Sequence, residues 1–197
     1  MSEYRIYVAS LSDYNAGRLH GVWIDCDGKD ADELQVEVNA MLRESGYPNV
    51  SVECLDCAEG YLPMPCDGCA GSGVVPSAEE YAIYDHEGFG DLIDEYTSLK
   101  DVADIVGALE TVDNADALKE FAEAFGYHIT EAAYNFDNAF HGYWRSKRAF
   151  AEEYIDSDGL LTGVGYLAAY FDYDAFARDL FMDYTMTESG YVFCCDH

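Results

Sequence analysis

The chain has 197 residues, half of them apolar, with 39 acidic side chains against 10 basic ones and a formal charge of −29. Apolar content at that level argues against disorder and can fill a core, while the charge argues against direct contact with nucleic acid or anionic membranes, which select Lys and Arg. Met1–Leu11 lacks the basic start and long apolar run of a signal peptide, and stretches such as Leu167–Phe171 are too short to span a bilayer, so a cytoplasmic protein is expected.

In chain order, Tyr4–Ala9 and Leu19–Ile24 read as strands on either side of the polar stretch Ser10–Gly17. Asp30–Arg43 reads as a helix. Asp30 and Glu33 have capping-box spacing, and Leu34, Val38, Met41 and Leu42 recur at helical intervals until Gly46 and Pro48. Val50–Val52 reads as a third strand. Cys54–Pro76 has four cysteines, four glycines and three prolines without periodicity, the composition of an insertion folded around a metal.

From Ser77 onward helical signals dominate. Ser77-Ala-Glu-Glu80 and Ser98-Leu-Lys-Asp101 resemble helix starts. Three apolar stripes follow: Phe89, Leu92, Ile93, Tyr96; Val102, Ile105, Val106, Leu109; and Leu118, Phe121, Ala122, Phe125, with Gly126 as a stop. Residues 77–126 therefore read as a small helical bundle. Beyond it, Tyr143–Arg145 reads as a strand, Ser146–Tyr154 and Asp172–Met182 as helices, and Thr185–Thr187 with Tyr191–Phe193 as a hairpin around Glu188-Ser-Gly190. The expectation is an α+β chain of three small domains: 1–76 with the insertion at 54–76, an acidic helical domain over 77–126, and an α+β domain over 127–197.

The acids are concentrated where the stripes leave room. Between Glu79 and Glu123 there are fourteen acids and two bases, Lys100 and Lys119. The acids are Glu79, Glu80, Asp85, Glu87, Asp91, Asp94, Glu95, Asp101, Asp104, Glu110, Asp113, Asp116, Glu120 and Glu123. Carboxylates three or four residues apart on a helix lie roughly 5–6 Å apart, within range of the phosphate spacing along a DNA strand. They also repel one another, so their frequency asks for a reason. Twenty-nine charges match roughly 50 Å of duplex, at one charge per ~1.7 Å of axis. The natural partner of such a surface is a basic protein cleft built for DNA. A solvated face, or adaptation to high salt, accounts for the same acids, although neither predicts the 17 tyrosines.

Cys54-Leu-Asp-Cys57 and Cys66-Asp-Gly-Cys69 are two CxxC pairs separated by eight residues, the spacing of a tetrahedral four-cysteine zinc site. The second pair continues Ala70-Gly71-Ser72-Gly73, resembling a CxxCxGxG knuckle of the DnaJ cysteine-rich region. Four protein ligands leave no open position, so one structural Zn2+ per chain is expected; a redox dithiol or reduced free cysteines are the other readings. Glu53, Asp56, Glu59 and Asp67, with no Lys or Arg between Val50 and Pro76, leave this segment without the charges for phosphate contacts. Cys194, Cys195 and His197 form a terminal cluster, but the two cysteines are adjacent and read as buried or incidental thiols.

No catalytic constellation stands out. There is no G-x-S-x-G, H-E-x-x-H or P-loop, the histidines are scattered, and Asp25-Cys-Asp27-Gly28 and Asp156-Ser-Asp158-Gly159 place glycine too early for an EF-hand. Arg145, Lys147 and Arg148 cluster within four residues, either neutralising local acids or pairing with carboxylates across a subunit boundary. The rivals to a DNA-cleft inhibitor are an acidic zinc-containing interaction module for another basic protein and a salt-adapted enzyme.

Three segments resemble the ArdA family of antirestriction proteins: Tyr14-Asn-Ala-Gly-Arg-Leu-His-Gly-Val-Trp-Ile-Asp25; Ser77-Ala-Glu-Glu-Tyr-Ala-Ile-Tyr-Asp-His-Glu-Gly-Phe89, with Tyr81 where Trp is usual; and Tyr170-Phe-Asp-Tyr-Asp-Ala-Phe-Ala-Arg-Asp-Leu-Phe-Met-Asp-Tyr184. The resemblance implies three small domains in a row and an elongated, curved homodimer held by its C-terminal domains. It also implies imitation of bent DNA in the cleft of type I restriction-modification enzymes. Leu160, Leu161, Gly163, Val164, Tyr166, Leu167 and Tyr170 fall in what resembles that family's antirestriction segment, placed with dimerisation. The cysteine insertion departs from compact members of the family.

Overall fold

The computed structural model describes residues 3–58 and 66–196, so Glu59 and His197 lie outside the described residues. The chain forms two compact units, Met1–Gly107 and Ala108–His197. Its elements are mixed α and β, as the sequence predicts.

The first unit is built on a three-stranded antiparallel sheet of order β2-β1-β5, with β1 at Arg5–Ser10, β2 at Gly21–Asp25 and β5 at Tyr81–Glu87. Ile6, Val8 and Ile24 alternate onto one face and are fully buried. Helix α2, Ala31–Arg43, covers them with Leu34, Val38, Met41 and Leu42. Its start is the expected capping box: Glu33 N–H donates to Asp30 Oδ1 at 2.9 Å, and Asp30 N–H donates to Glu33 Oε2 at 3.0 Å. After β5, Gly88 has φ +86, and a Cβ there would lie 2.2 Å from the Glu3 carbonyl oxygen; only glycine admits that approach.

A short helix α1, Leu11–Asn15, fills the stretch expected to be a polar connection, and it buries Asp13 completely. The Asp13 carboxylate accepts hydrogen bonds from Ser45 Oγ and, at 3.1 Å, from Gly46 N–H, tying α1 to the turn after α2. Burial opposes the charge, but the bonds from Ser45, Ser10 and Gly46, with His20 nearby, hold its pKa below the ordinary carboxylate value.

The cysteine segment is carried by a two-stranded hairpin. β3, Val50–Glu53, pairs with β4, Val74–Ser77, in the register Val50↔Ser77 to Glu53↔Val74, and a single turn α3, Leu55–Ala58, follows β3.

The expected helical bundle over 77–126 is corrected at its first half. Ser77 ends β4, and Tyr81–Glu87 is strand, paired with β1 from Arg5↔Glu87 to Ser10↔Tyr81. The aromatic and β-branched run Tyr81-Ala-Ile-Tyr84 suits a half-buried strand, and β1 supplies an edge needing a partner. The stripe from Phe89 to Tyr96 is not a helix either. Only Gly90–Leu92 makes one 3-10 turn; Phe89 and Ile93 are buried while Tyr96 is 85% exposed. Asp94 explains the break, because its carboxylate accepts from Tyr96 N–H at 2.9 Å and folds the chain into a local turn. The other two stripes are helices as expected: α4, Leu99–Glu110, buries Val102, Ile105, Val106 and Leu109, and α5, Ala115–Phe125, buries Leu118, Phe121 and Ala122. Asn114 caps α5, and Gly126 at φ +71 ends it in the left-handed region.

The second unit continues with α6, Ile129–Ala139, which the sequence reading left unassigned. A sheet of order β6-β8-β7 follows, with β6 at Phe140–Tyr143, β7 at Tyr184–Met186 and β8 at Tyr191–Cys194. Phe121 lies 5.1 Å from Phe193 and 6.1 Å from Phe136, ring to ring, forming the centre of this core. Helices α7, Lys147–Ser157, and α8, Tyr173–Leu180, pack around Phe150, Ile155 and Ala177. Ser146 and Asp172 cap them at the positions the sequence marks.

Candidate metal centre and partner-binding surface

Four cysteines converge at the end of the hairpin. Cys54 and Cys57 come from the turn leaving β3; Cys66 and Cys69 come from the turn entering β4. Their sulfurs all lie within 4.8 Å of one another, with Cys54 to Cys66 at 3.9 Å and Cys57 to Cys69 at 3.4 Å. Sulfurs on a tetrahedral ion at about 2.3 Å would stand about 3.8 Å apart, so the four are close enough to hold one metal ion. Cys54, Cys66 and Cys69 are buried and Cys57 is half-buried. Among the described residues this is the one such cluster.

The backbone explains the convergence. Cys57 N–H donates to the Cys54 carbonyl at 3.1 Å, closing the first CxxC turn, and Ser72 N–H donates to the Cys69 carbonyl at 3.0 Å, closing the turn that follows the second pair. Gly73 N–H donates to Cys69 Sγ at 3.3 Å, which the left-handed residues Ala70 and Gly71 make possible. Cys54 N–H donates to the Gly73 carbonyl at 3.0 Å and joins the two turns. In the thiol form, the contact with Cys57 and the Gly73 amide draw the Cys69 pKa down, while the same contact pushes the Cys57 pKa up.

The carboxylates singled out from sequence are on the surface. Glu79, Glu80, Asp85, Glu87, Asp91, Asp94, Glu95, Asp101 and Asp104 in the first unit are exposed, as are Glu110, Asp113, Asp116 and Glu123 in the second; Glu120 is half-buried. Strand β5 carries Asp85 and Glu87, and α4 turns Asp101 and Asp104 away from its buried stripe. Bases reach few of them. Arg5 grips Glu87 with two bonds of 2.7 and 2.8 Å, Lys100 pairs with Asp104, and Lys119 lies 3.7 Å from Asp116. No Lys or Arg occurs from Glu44 to Leu99.

The segment 156–176 contains no buried residue. Leu160 is 52% exposed, Val164 40%, Tyr166 80%, Leu167 55% and Tyr170 81%; Leu161 is half-buried and Gly163 has φ +91. A family model for antirestriction proteins, ArdA, matches residues 6–193.

The chain belongs to the ArdA family.

No curated protein matches it in a sequence comparison. The three segments that resemble ArdA occupy distinct places: Tyr14–Asp25 runs from the end of α1 through β2, Ser77–Phe89 contains β5, and Tyr170–Tyr184 contains α8. The four-cysteine hairpin lies between α2 and β5, within the residues that the family model matches. Sequence reasoning missed two features. One is Asp13, whose role depends on Ser45 far along the chain; the other is the cleft that joins Lys147 and Arg148 to Arg178 and Phe181. The basic triplet was its only sequence signal.

Proposed function

We propose that this ArdA-family protein inhibits type I restriction-modification enzymes as a DNA mimic. Its surface carboxylates take the place of phosphates in the enzyme's DNA-binding cleft, so the protein acts by binding in the cytoplasm and catalyses nothing. The supporting observation is the exposed acid set on β5, α4 and α5, together with a stretch from Glu44 to Leu99 that contains no Lys or Arg. Many weak charge contacts, each screened over about 8 Å at physiological salt, supply the affinity. The organisation into three small domains, and a homodimer held by the exposed apolar residues between Leu160 and Tyr170, belong to the same reading. Contiguous exposed apolar residues of this kind mark association surfaces.

The metal is structural zinc, one per chain. Four thiolates suit zinc, leave no position for water, and hold a hairpin with little core of its own. No Lys or Arg in this module addresses nucleic acid.

The test is cleavage of unmodified plasmid by a type I enzyme, with DNA lacking the recognition site as control competitor. Inhibition near one dimer per enzyme is expected, weakening steeply with salt. Reversing Asp101, Asp104, Glu110 and Asp113 together to Lys should weaken it at least tenfold. Inhibition unchanged by salt and by this reversal would refute the mimic.

A further inference from the structure

A −29 chain should neutralise its few cations, yet one cleft collects them. Lys147 and Arg148 at the start of α7, with Arg178 at the end of α8, line a cleft of about 380 Å³ that also includes Asp174, Ala177 and Phe181. Arg148 is paired, to Glu152 at 2.8 Å and Asp174 at 2.9 Å. Lys147 and Arg178 have no carboxylate within ion-pair distance among the described residues; Lys147 Nζ lies instead 4.8 Å from the centre of the Phe181 ring. The cleft is therefore cationic with an aromatic wall.

Helix α7 is also polarised. Arg145, Lys147 and Arg148 stand at its beginning, while Glu152, Glu153, Asp156 and Asp158 occupy its second half and end. This is opposite to what the helix dipole favours, and the one ion pair within the helix, Arg148 to Glu152, leaves Lys147, Asp156 and Asp158 unaccounted for. Two copies of such a helix laid antiparallel around a two-fold axis place each basic end against the other's acidic end, which is the self-complementarity that a two-fold dimer requires. An 11-residue helix spans about 16 Å, about two Debye lengths at physiological salt, so the two end contacts act separately. The acidic end leads directly into the exposed Leu160. A second copy thus offers carboxylates for the cations and an apolar side chain for the Phe181 wall.

We propose that the cleft of Lys147, Arg148 and Arg178 receives the Asp156–Leu160 segment of a second copy of this chain, and that charge sets the register of the dimer. This rests on the self-association reading above and adds the surface that specifies it. A free small anion is a weaker occupant, because the field of the whole chain repels it, whereas a carboxylate tethered to an apolar contact is held in place.

The experiment is sedimentation equilibrium of the full chain at low salt with two variants. One is Lys147→Glu with Arg178→Gln; the other is Asp156→Lys with Asp158→Lys. Lys147→Glu and the two lysines suit the α7 dipole better than the native residues, so neither variant should lose helicity or thermal stability. Each should weaken homodimerisation at least tenfold, and mixing the two should restore a heterodimer as tight as wild type. Wild type that stays monomeric at all concentrations would overturn both the dimer reading and this one. A wild-type dimer that neither variant weakens would overturn this one alone, as would two weakened variants that fail to complement. Inorganic phosphate binding in the cleft at micromolar concentration, with association unaffected by the variants, would also overturn it.

Discussion

The four-cysteine hairpin and the pair of helices α4 and α5 both display acids, but they solve the cost of doing so differently. The helices carry Asp101, Asp104, Asp116 and Glu123 outward because Val102, Ile105, Leu118 and Phe121 are wholly buried behind them. The hairpin has no such backing. Its buried cluster is Cys54, Cys66 and Cys69, with Cys57 and Val75 against it. Apolar burial is a distributed force that weakens gradually as atoms are removed. A metal centre is a single point whose loss removes the whole local gain. With the proposed metal in place, the same surface chemistry therefore stands on two supports with different failure modes.

The largest expected effect separates them. Replacing Cys54 and Cys66 by Ser should abolish metal binding and release about 10 kcal/mol or more of local folding free energy. Hydrogen exchange should show protection lost from Val50 to Ser77 with α4, α5 and α2 still protected. Spread of the loss into α5 would mean the two supports are not independent. Cobalt substitution offers a second readout, since a tetrathiolate site gives intense visible bands that the variant should lack.

Next in size is Phe121→Ala, which should cost about 3–5 kcal/mol by opening a cavity among Phe136, Phe193 and Phe125. Denaturant unfolding should show the second unit destabilised while metal affinity stays unchanged. A fall in metal affinity would contradict the contrast drawn above.

Asp13 tests a third way of holding charge, by hydrogen bonds alone. Asp13→Ala should cost about 2 kcal/mol, because Ser45 Oγ and Gly46 N–H lose an ionised acceptor. Its folded pKa lies below the unfolded value of about 3.9. The stabilisation is thus complete above that value and is lost as pH falls through the folded pKa. Thermal melts should therefore show wild type and variant converging below about pH 3.9, with the full gap at neutrality.

What could be read from sequence follows from how far apart the deciding residues are. Helix α2 was legible because its capping box and apolar stripe lie within fourteen positions, and the CxxC pairs because ligand spacing is itself the signal. β5 was misread because its partner β1 is some eighty residues away; Arg5 faces Glu87. Local polarity at Ser77-Ala-Glu-Glu80 resembled a helix cap, and a non-local ladder overruled it. Helix α6 had its stripe at Ile129, Ala132, Phe136 and Ala139, but two alanines make a faint pattern. Among the site residues, the acids were legible as exposed since they interrupt apolar stripes, whereas Asp13 looks like any other acid until Ser45 is brought beside it.

The register of the hairpin has one more consequence. Val50 pairs with Ser77, and Asn49 N–H donates to the Ser77 carbonyl at 3.0 Å, so the two ends of the cysteine segment emerge side by side. A segment whose entry and exit coincide can be gained or shed in one genetic event without re-threading the strands on either side. The cysteine hairpin is in that sense a portable cassette, and the chain around it is an acceptor that could host other self-closing modules at the same seam.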